Sequence, residues 1–283
     1  MYCNELMTLP RRASCLRTAV FVAVILLALP TGAATTPDVQ LWRLDCGSFP
    51  NANMEQMSDT FAYPGRTKDG ASSCYLIRHN RDYMLWDAGF TDVGADLLTK
   101  AGFKATPGEP LKEQLSRIDV DPKQISIIGI SHGHPDHTGQ ASQFPLARLL
   151  MGKADFDILA AAKSPDITPW LIEGANVEKV SGDKDVFGDG SIVMLATPGH
   201  TLGHYSLLIR LHRFGPVILS GDLWHFTEQV SHNGVPPGNM DRAATLASMD
   251  RILKAAANLK AKLIIQHEKL DILKLPQFPA SAH

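Results

Sequence analysis

Residues 125–139 constrain this chain more than any other stretch. The apolar run Ile125-Ser126-Ile127-Ile128-Gly129-Ile130 has strand length, and Ser131-His132-Gly133-His134-Pro135-Asp136-His137-Thr138-Gly139 follows at once. This order reads as a buried strand entering a tight loop. Three histidines and one carboxylate, His132, His134, Asp136 and His137, fall within six residues of that loop. That is more nitrogen and oxygen than packing can use, and metal ligation is the chemistry that uses it. Histidines two apart in an extended segment project to the same side, so His132 and His134 can grip one ion. Past Pro135 the chain should turn into a helix, which re-aims Asp136 and His137 at a second position. A loop of merely solvated histidines is the bland alternative, and both the spacing and the strand before it speak against that.

Three further candidates sit where apolar runs end. Thr197-Pro198-Gly199-His200 closes one, and its Pro and Gly fix a sharp turn that presents His200 as a partner for His132 and His134. Asp222, in Ser220-Gly221-Asp222, closes another and can give one oxygen to each of two ions. His267, after Leu263-Ile264-Ile265-Gln266, belongs beside the second position. Alone, each is more commonly a satisfied polar residue; with the loop they complete seven ligands. Five imidazoles, two carboxylates and no thiolate predict a dinuclear site holding two zinc ions, with manganese or cobalt able to substitute.

The ends set the limits. Arg11, Arg12 and Arg17 precede the apolar run Thr18 to Pro30, and Gly32-Ala33-Ala34 offers a small-residue cleavage site, so residues 1–34 read as a signal peptide. The run is short for a membrane span, so no stable membrane association is expected after its removal, although retention as an anchor stays open. The expected location is periplasmic or secreted. Residues 35–283 then form one domain of about 250 residues, enough for a substantial single core. The formal net charge of −2 becomes about −4 once three arginines and Glu5 leave with the signal. Without a basic run, no nucleic-acid partner is expected. Cys46 and Cys74 are the mature cysteines; a disulfide and two buried thiols are equally open.

In chain order, Val39 to Cys46 alternates as a first strand, and residues 47–72, rich in Gly, Pro, Asn, Ser and Met, read as a long loop. Met54, Met57, Phe61 and Tyr63 could make it an apolar cover over a site, although ordinary packing of the loop onto the body is the commoner arrangement. Cys74 to Arg78 and Tyr83 to Trp86 predict a hairpin around Asn80-Arg81. Helices are expected over Val93 to Ala101, Leu111 to Arg117, Ala154 to Ala161 and Met240 to Leu259. Further strands are expected at Ala147 to Met151, Val177 to Val180, Ile192 to Ala196, Tyr205 to Leu211, Pro216 to Ser220 and Lys262 to Gln266. Strands in two clusters, each with helices, point to two sheets packed face to face with helices outside.

His-x-His-x-Asp-His, Thr197-Pro198-Gly199-His200-Thr201-x-Gly203-His204, Gly221-Asp222 and His267 together resemble the metallo-β-lactamase-fold hydrolases, over residues 39 to 270. Within that superfamily the chain is most similar to acyl-homoserine-lactone lactonases, including at Leu44-Asp45-Cys46-Gly47 and Ser248-Met249-Asp250-Arg251. The resemblance implies an α/β fold, the four-layer αβ/βα sandwich. It assigns His132, His134 and His200 to one zinc and Asp136, His137 and His267 to the other, with Asp222 bridging. One position departs: the best-known lactonases carry a tyrosine three residues after the bridging aspartate, and this chain carries His225, which can also donate a hydrogen bond, with a different reach.

Two zinc ions roughly 3.5–4 Å apart can hold a hydroxide and polarise a carbonyl. The expected reaction is therefore opening of an N-acyl homoserine lactone ring by a metal-bridging hydroxide, the chemistry of quorum quenching, with His225 steadying the oxyanion and Asp136 shuttling the proton. His204 is expected at most to support the ligands from behind, with structural packing the commoner role. The partner is a small lactone or ester; a homodimer stays among the oligomeric states that the sequence allows. An organophosphate or aryl/carboxyl-ester hydrolase would use the same site. β-Lactamases of this fold carry Cys or Ser where Asp222 stands, and glutathione thioesterases add a C-terminal helical domain, for which the 16 residues after His267 are too few. A non-catalytic zinc-binding protein is the reading of a different class.

Overall fold

The computed structural model describes residues 36–283; the expected signal segment 1–34 lies outside the described residues. A seven-stranded sheet has the order β4-β1-β2-β3-β5-β6-β7, with β1 Val39–Asn53, β2 Thr67–His79, β3 Asp82–Trp86, β4 Thr106–Pro107, β5 Ile125–Ile130, β6 Arg148–Gly152 and β7 Val177–Val180. A five-stranded sheet has the order β12-β11-β10-β9-β8, with β8 Lys184–Asp185, β9 Ile192–Ala196, β10 Tyr205–Leu211, β11 Gly215–Leu219 and β12 Lys262–Ile264. The helices are α1 Asp92–Lys100, α2 Leu111–Ser116, α3 Pro135–Thr138, α4 Lys153–Ala161, α5 Thr227–His232, α6 Arg242–Leu259 and α7 Lys269–Ile272.

Strand periodicity builds the layers. Along β10, Leu207 and Ile209 enter a core shared with Tyr75, Met84 and Trp86 of the other sheet, whereas Leu208 points the opposite way, to Met249 and Ile252 of α6. In β5, Ile127 joins the inter-sheet core while Ile128 and Ile130 pack with Leu111, Leu115 and Phe156 beneath α2 and α4. Residues of period two thus serve two cores at once. The result is the αβ/βα sandwich that the pattern predicts. Full burial of a side chain such as Ile252 stabilises by about 1.5–3 kcal/mol, and truncating it to Ala costs about 2–5 kcal/mol.

The stretch expected as a long loop, residues 47–72, is corrected. β1 and β2 run on as a 15- and a 13-residue pair, and only residues 54–66 connect them. Register shifts between Asp45 and Gly47 and between Phe49 and Ala52 let the extended arm twist away from the sheet. Its apolar side chains, Phe49, Met54, Met57 and Tyr63, pack with Phe90 and Phe226 in a separate cluster, so the segment is mainly packed onto the body, and of the four residues of the cover reading Met57 alone lines the cavity described below. Phe61, also expected in that cover, is 88% exposed. The Asn80-Arg81 turn is as expected, with His79 opposite Asp82 and Asn80 at φ 55°. Cys46 and Cys74 are joined by a disulfide between β1 and β2. α6 begins at Arg242 rather than Met240, because the Asp241 side chain accepts from the Ala244 amide and caps it. No helix among the described residues is long and apolar enough to cross a membrane.

Candidate metal centre

All seven expected ligands meet at one edge of the sandwich, where β5, β9, β11 and β12 end. The loop after β5 holds His132 and His134, and Pro135 starts α3 there, turning Asp136 and His137 inward. His200 arrives on the turn after β9. Gly199, at φ 140°, permits that turn: a Cβ would lie 2.3 Å from the Thr245 amide nitrogen of α6. The amides of Met240 and Asp241 hold the carbonyls of His200 and Gly199, fastening the turn to the approach of α6.

The atoms form two groups. His134 Nδ1 lies 2.9 Å from His132 Nε2 and 3.0 Å from His200 Nε2. His137 Nε2 lies 3.1 Å from Asp136 Oδ2. Asp222 stands between them. Its Oδ1 is 3.2 Å from His137 Nε2 and 3.1 Å from His267 Nε2, while its Oδ2 is 3.7 Å from His132 Nε2 and 3.6 Å from His200 Nε2. Each foursome, His132-His134-His200-Asp222 and Asp136-His137-Asp222-His267, offers ligand atoms all within 4.8 Å of one another.

The hydrogen bonds behind the rings decide which nitrogens face inward. His137 Nδ1 meets Asp87 Oδ2 at 2.9 Å, His200 Nδ1 meets Asn239 Oδ1 at 2.9 Å and His267 Nδ1 meets the Ala71 carbonyl at 2.7 Å. Each acceptor holds a proton on Nδ1 and leaves the Nε2 lone pair facing the centre. Such convergence of lone pairs is unfavourable without a cation. The buried atoms His137 Nε2 and Asp222 Oδ1 are accordingly left without a hydrogen-bond partner. The donor set therefore fits two divalent ions with a preference for nitrogen and oxygen.

The two groups differ in charge: burial keeps the imidazoles of the first neutral, whereas in the second the carboxylates outweigh burial and draw a proton onto His137 and His267 that a bound cation would displace. Burial, then the neighbouring His137, push the His132 imidazole well below its ordinary value, and burial does the same to His200. Burial also opposes charge on His137, but Asp136, Asp222 and Asp87 outweigh it and raise that group well above the usual range. Asp136 is held down at about 2: burial raises it, and His137 beside it overrides. Burial lowers His204 to about 4. This neutral ring does more than pack, since its Nε2 accepts the Asp222 amide at 3.0 Å and its Nδ1 lies 3.0 Å from the Thr197 carbonyl. His204 thus holds the backbone of the carboxylate that stands between the two groups, the supporting role that the sequence reading ranked below packing.

His225 lies on the cavity side. Its Nε2 is 3.4 Å from Asp222 Oδ2 and its Nδ1 is buried without a partner. Glu228, three residues further on, pairs with Lys68 and Arg66. Above the centre opens a cavity of about 560 Å³ whose walls are mostly apolar, with Phe49, Met57, Leu97, Leu98, Phe103 and Phe226 among them. His134, Asp136, His200, Asp222, His225 and His267 also line it.

The sequence reading gave no role to Asp87, Ser131 and Asn239, which stand behind the expected ligands, or to Gln229, which holds the backbone of His225. Only Asp87 left a signal, closing an apolar strand as Asp87-Ala88-Gly89. It is fully buried at φ 59° and accepts from the Ser131 amide, the Ser131 hydroxyl and His137.

Comparison with known proteins gives the same frame. The model of the metallo-beta-lactamase superfamily matches residues 67–267. An N-acyl homoserine lactonase of a Bacillus species is 28% identical over 215 residues, which cover 72% of this chain and 84% of that protein. The N-acyl homoserine lactonase AttM of Azorhizobium caulinodans is 25% identical over 258 residues, 82% of this chain and 94% of that one. A solved quorum-quenching N-acyl homoserine lactone lactonase superposes with a TM-score of 0.70 at 21% identity, covering 86% of this chain and 97% of that one, and shares the fold.

Proposed function

The chain belongs to the metallo-β-lactamase superfamily of hydrolases, and from that premise we propose that it is a dinuclear zinc lactonase which opens the ring of N-acyl homoserine lactones. One observation carries the reading: Asp222 turns one oxygen towards each of two imidazole sets beneath an apolar-walled cavity. His132, His134 and His200 would hold one ion, Asp136, His137 and His267 the other, and Asp222 both. Bound there, two zinc ions supply a water activated at neutral pH and a Lewis acid for the carbonyl.

The chain's own side chains do the rest. The apolar wall of Phe49, Leu98 and Phe103 takes the acyl chain and sheds water from the reacting end. His225 Nε2 faces the space above Asp222 and donates a hydrogen bond to the lactone carbonyl oxygen, a bond that strengthens as negative charge gathers there. Asp136 accepts the proton of the attacking water and returns it to the ring oxygen when the carbon–oxygen bond breaks. The product is the ring-opened N-acyl homoserine, one water heavier than the substrate. Quorum quenching would follow wherever the lactone is a signal.

We further read residues 1–34 as an export signal and the mature chain as periplasmic or secreted. The buried Cys46–Cys74 bond supports this, because such bonds persist in oxidising compartments. The substrate reading is tested with zinc-loaded mature protein against acyl homoserine lactones, aryl esters, phosphotriesters and a cephalosporin. Lactones should be turned over with the highest kcat/KM; a phosphotriester or aryl ester in that place would move the assignment to the corresponding hydrolase.

A further inference from the structure

Asp155 sits in the first turn of α4 and is 2% exposed. Its carboxylate accepts three hydrogen bonds: the Gly133 amide at 2.9 Å and the Thr201 hydroxyl at 2.6 Å reach Oδ2, and the Gly203 amide at 2.7 Å reaches Oδ1. A buried anion with no cation on it is expensive unless hydrogen bonds replace its hydration, and three charge-assisted bonds do so here. The donors come from two places. Gly133 lies between His132 and His134 on the loop leaving the seven-stranded sheet, whereas Thr201 and Gly203 follow His200 on the turn leaving the five-stranded sheet. The carboxylate therefore joins the two loops whose imidazoles meet at His134 Nδ1 and His200 Nε2, 3.0 Å apart. The backbone around it has no slack. A Cβ on Gly152, just before α4, would stand 2.0 Å from the Gly203 carbonyl oxygen, and one on Gly203 would stand 2.7 Å from Asp155 Oδ1.

We propose that Asp155 is a positioning residue for the first metal position: it clips the His132–His134 loop to the His200 turn across the two sheets and thereby sets the separation of their nitrogens. The inference rests on the two-ion reading above. It predicts an asymmetry, because the donors adjoin the ligands of the first position, Gly133 between His132 and His134 and Thr201 and Gly203 just after His200, whereas Asp136 and His137 lie beyond the turn at Pro135 and His267 on a separate segment. Asp155→Asn keeps the volume but turns an NH2 group towards at least one of the donors, so the clip opens on one side.

The test is chelator competition with zinc and the visible absorption spectrum with cobalt, on the mature protein. His200→Ala and His267→Ala serve to assign each binding step. Asp155→Asn should weaken the first ion by about 10–100-fold and leave the second within about three-fold. Thr201→Ala should weaken the first ion less, and Thr201→Ser, which keeps the hydroxyl, should restore it. Wild-type affinities for both ions in Asp155→Asn and Thr201→Ala would overturn the clip, even if the metal-free proteins melt earlier. Equal loss of both ions would overturn it too, since Asp155 would then be a general scaffold residue. A wild-type chain that binds no ion would instead remove the two-ion reading on which the clip stands.

Discussion

The Nε2 atom of His225 lies 3.4 Å from Oδ2 of Asp222, and the His225 ring stacks on that of His267 with centroids 5.4 Å apart and planes 20° apart. Its backbone is fixed as well: the Gln229 side-chain oxygen accepts the amides of His225 and Phe226 while its NH2 group holds the carbonyls of Met57 and Gly234. A side chain held this firmly beside the metal-facing carboxylate is preorganised to meet a substrate atom. His225→Ala should lower kcat on lactones by about 10–10³-fold with two zinc ions retained, and His225→Tyr should recover much of the rate. Steady-state kinetics with elemental analysis decide this; unchanged kinetics at unchanged zinc would remove His225 from the catalytic residues.

Asp222 faces both groups, so its loss should not be local. Asp222→Ala leaves five imidazoles converging with a single carboxylate, and the occupancy of both positions should fall together. The same linkage makes stability depend on metal: at free zinc 100 times the dissociation constant, the folded state gains about 2.7 kcal/mol. Thermal melting of wild type should thus rise with zinc, and that of Asp222→Ala should rise much less. Selective loss of one ion in Asp222→Ala would show that the carboxylate serves one position only.

The apolar wall should discriminate by chain length. Phe103→Ala removes apolar surface from the cavity, and a long acyl chain should lose about 1–2 kcal/mol of binding, which is about 5–30-fold in KM. A butanoyl lactone should be affected less than two-fold. Equal effects on short and long substrates would place the acyl chain elsewhere.

The Cys46–Cys74 bond and the N-terminal segment make one joint prediction. Exported protein should begin near Thr35 by N-terminal sequencing, and it should lack free thiols until unfolded in reductant. Closing a span of 28 residues, the bond should contribute about 3.5 kcal/mol, lost in Cys46→Ala/Cys74→Ala as a lower denaturation midpoint with zinc content unchanged. A soluble chain still carrying Met1 would contradict the export reading.

The clustering of the seven expected ligands was legible in the sequence because metal chemistry demands residue types at fixed spacing. His132 and His134 must be two apart to share a side, and Asp136 and His137 must follow a turn. The shell behind them was not legible: Asp155, Asn239 and Gln229 act through distant partners, and an Asp or Gln inside a helix pattern looks like any solvated residue. The extension of β1 was hidden for a related reason. Gly47-Ser48-Phe49-Pro50-Asn51-Ala52-Asn53 is poor in residues that favour strands, and what makes it a strand is pairing with Thr67–Ser72, a non-local contact with irregularities in register before Gly47 and between Phe49 and Ala52. His204 was underrated because its work, accepting the Asp222 amide, needs the fold to bring β10 beside the end of β11.

The most direct test follows ring opening of N-hexanoyl homoserine lactone by mass spectrometry while metal-free mature protein is titrated with zinc. Activity should rise to a plateau at two equivalents per chain, with kcat/KM above about 10⁴ M⁻¹s⁻¹ and a product one water heavier than the lactone. A chelator should abolish it and added zinc restore it. A chain that takes up two zinc ions and leaves the lactone intact would contradict the lactonase assignment, and a chain that turns it over fully without metal would contradict the centre itself.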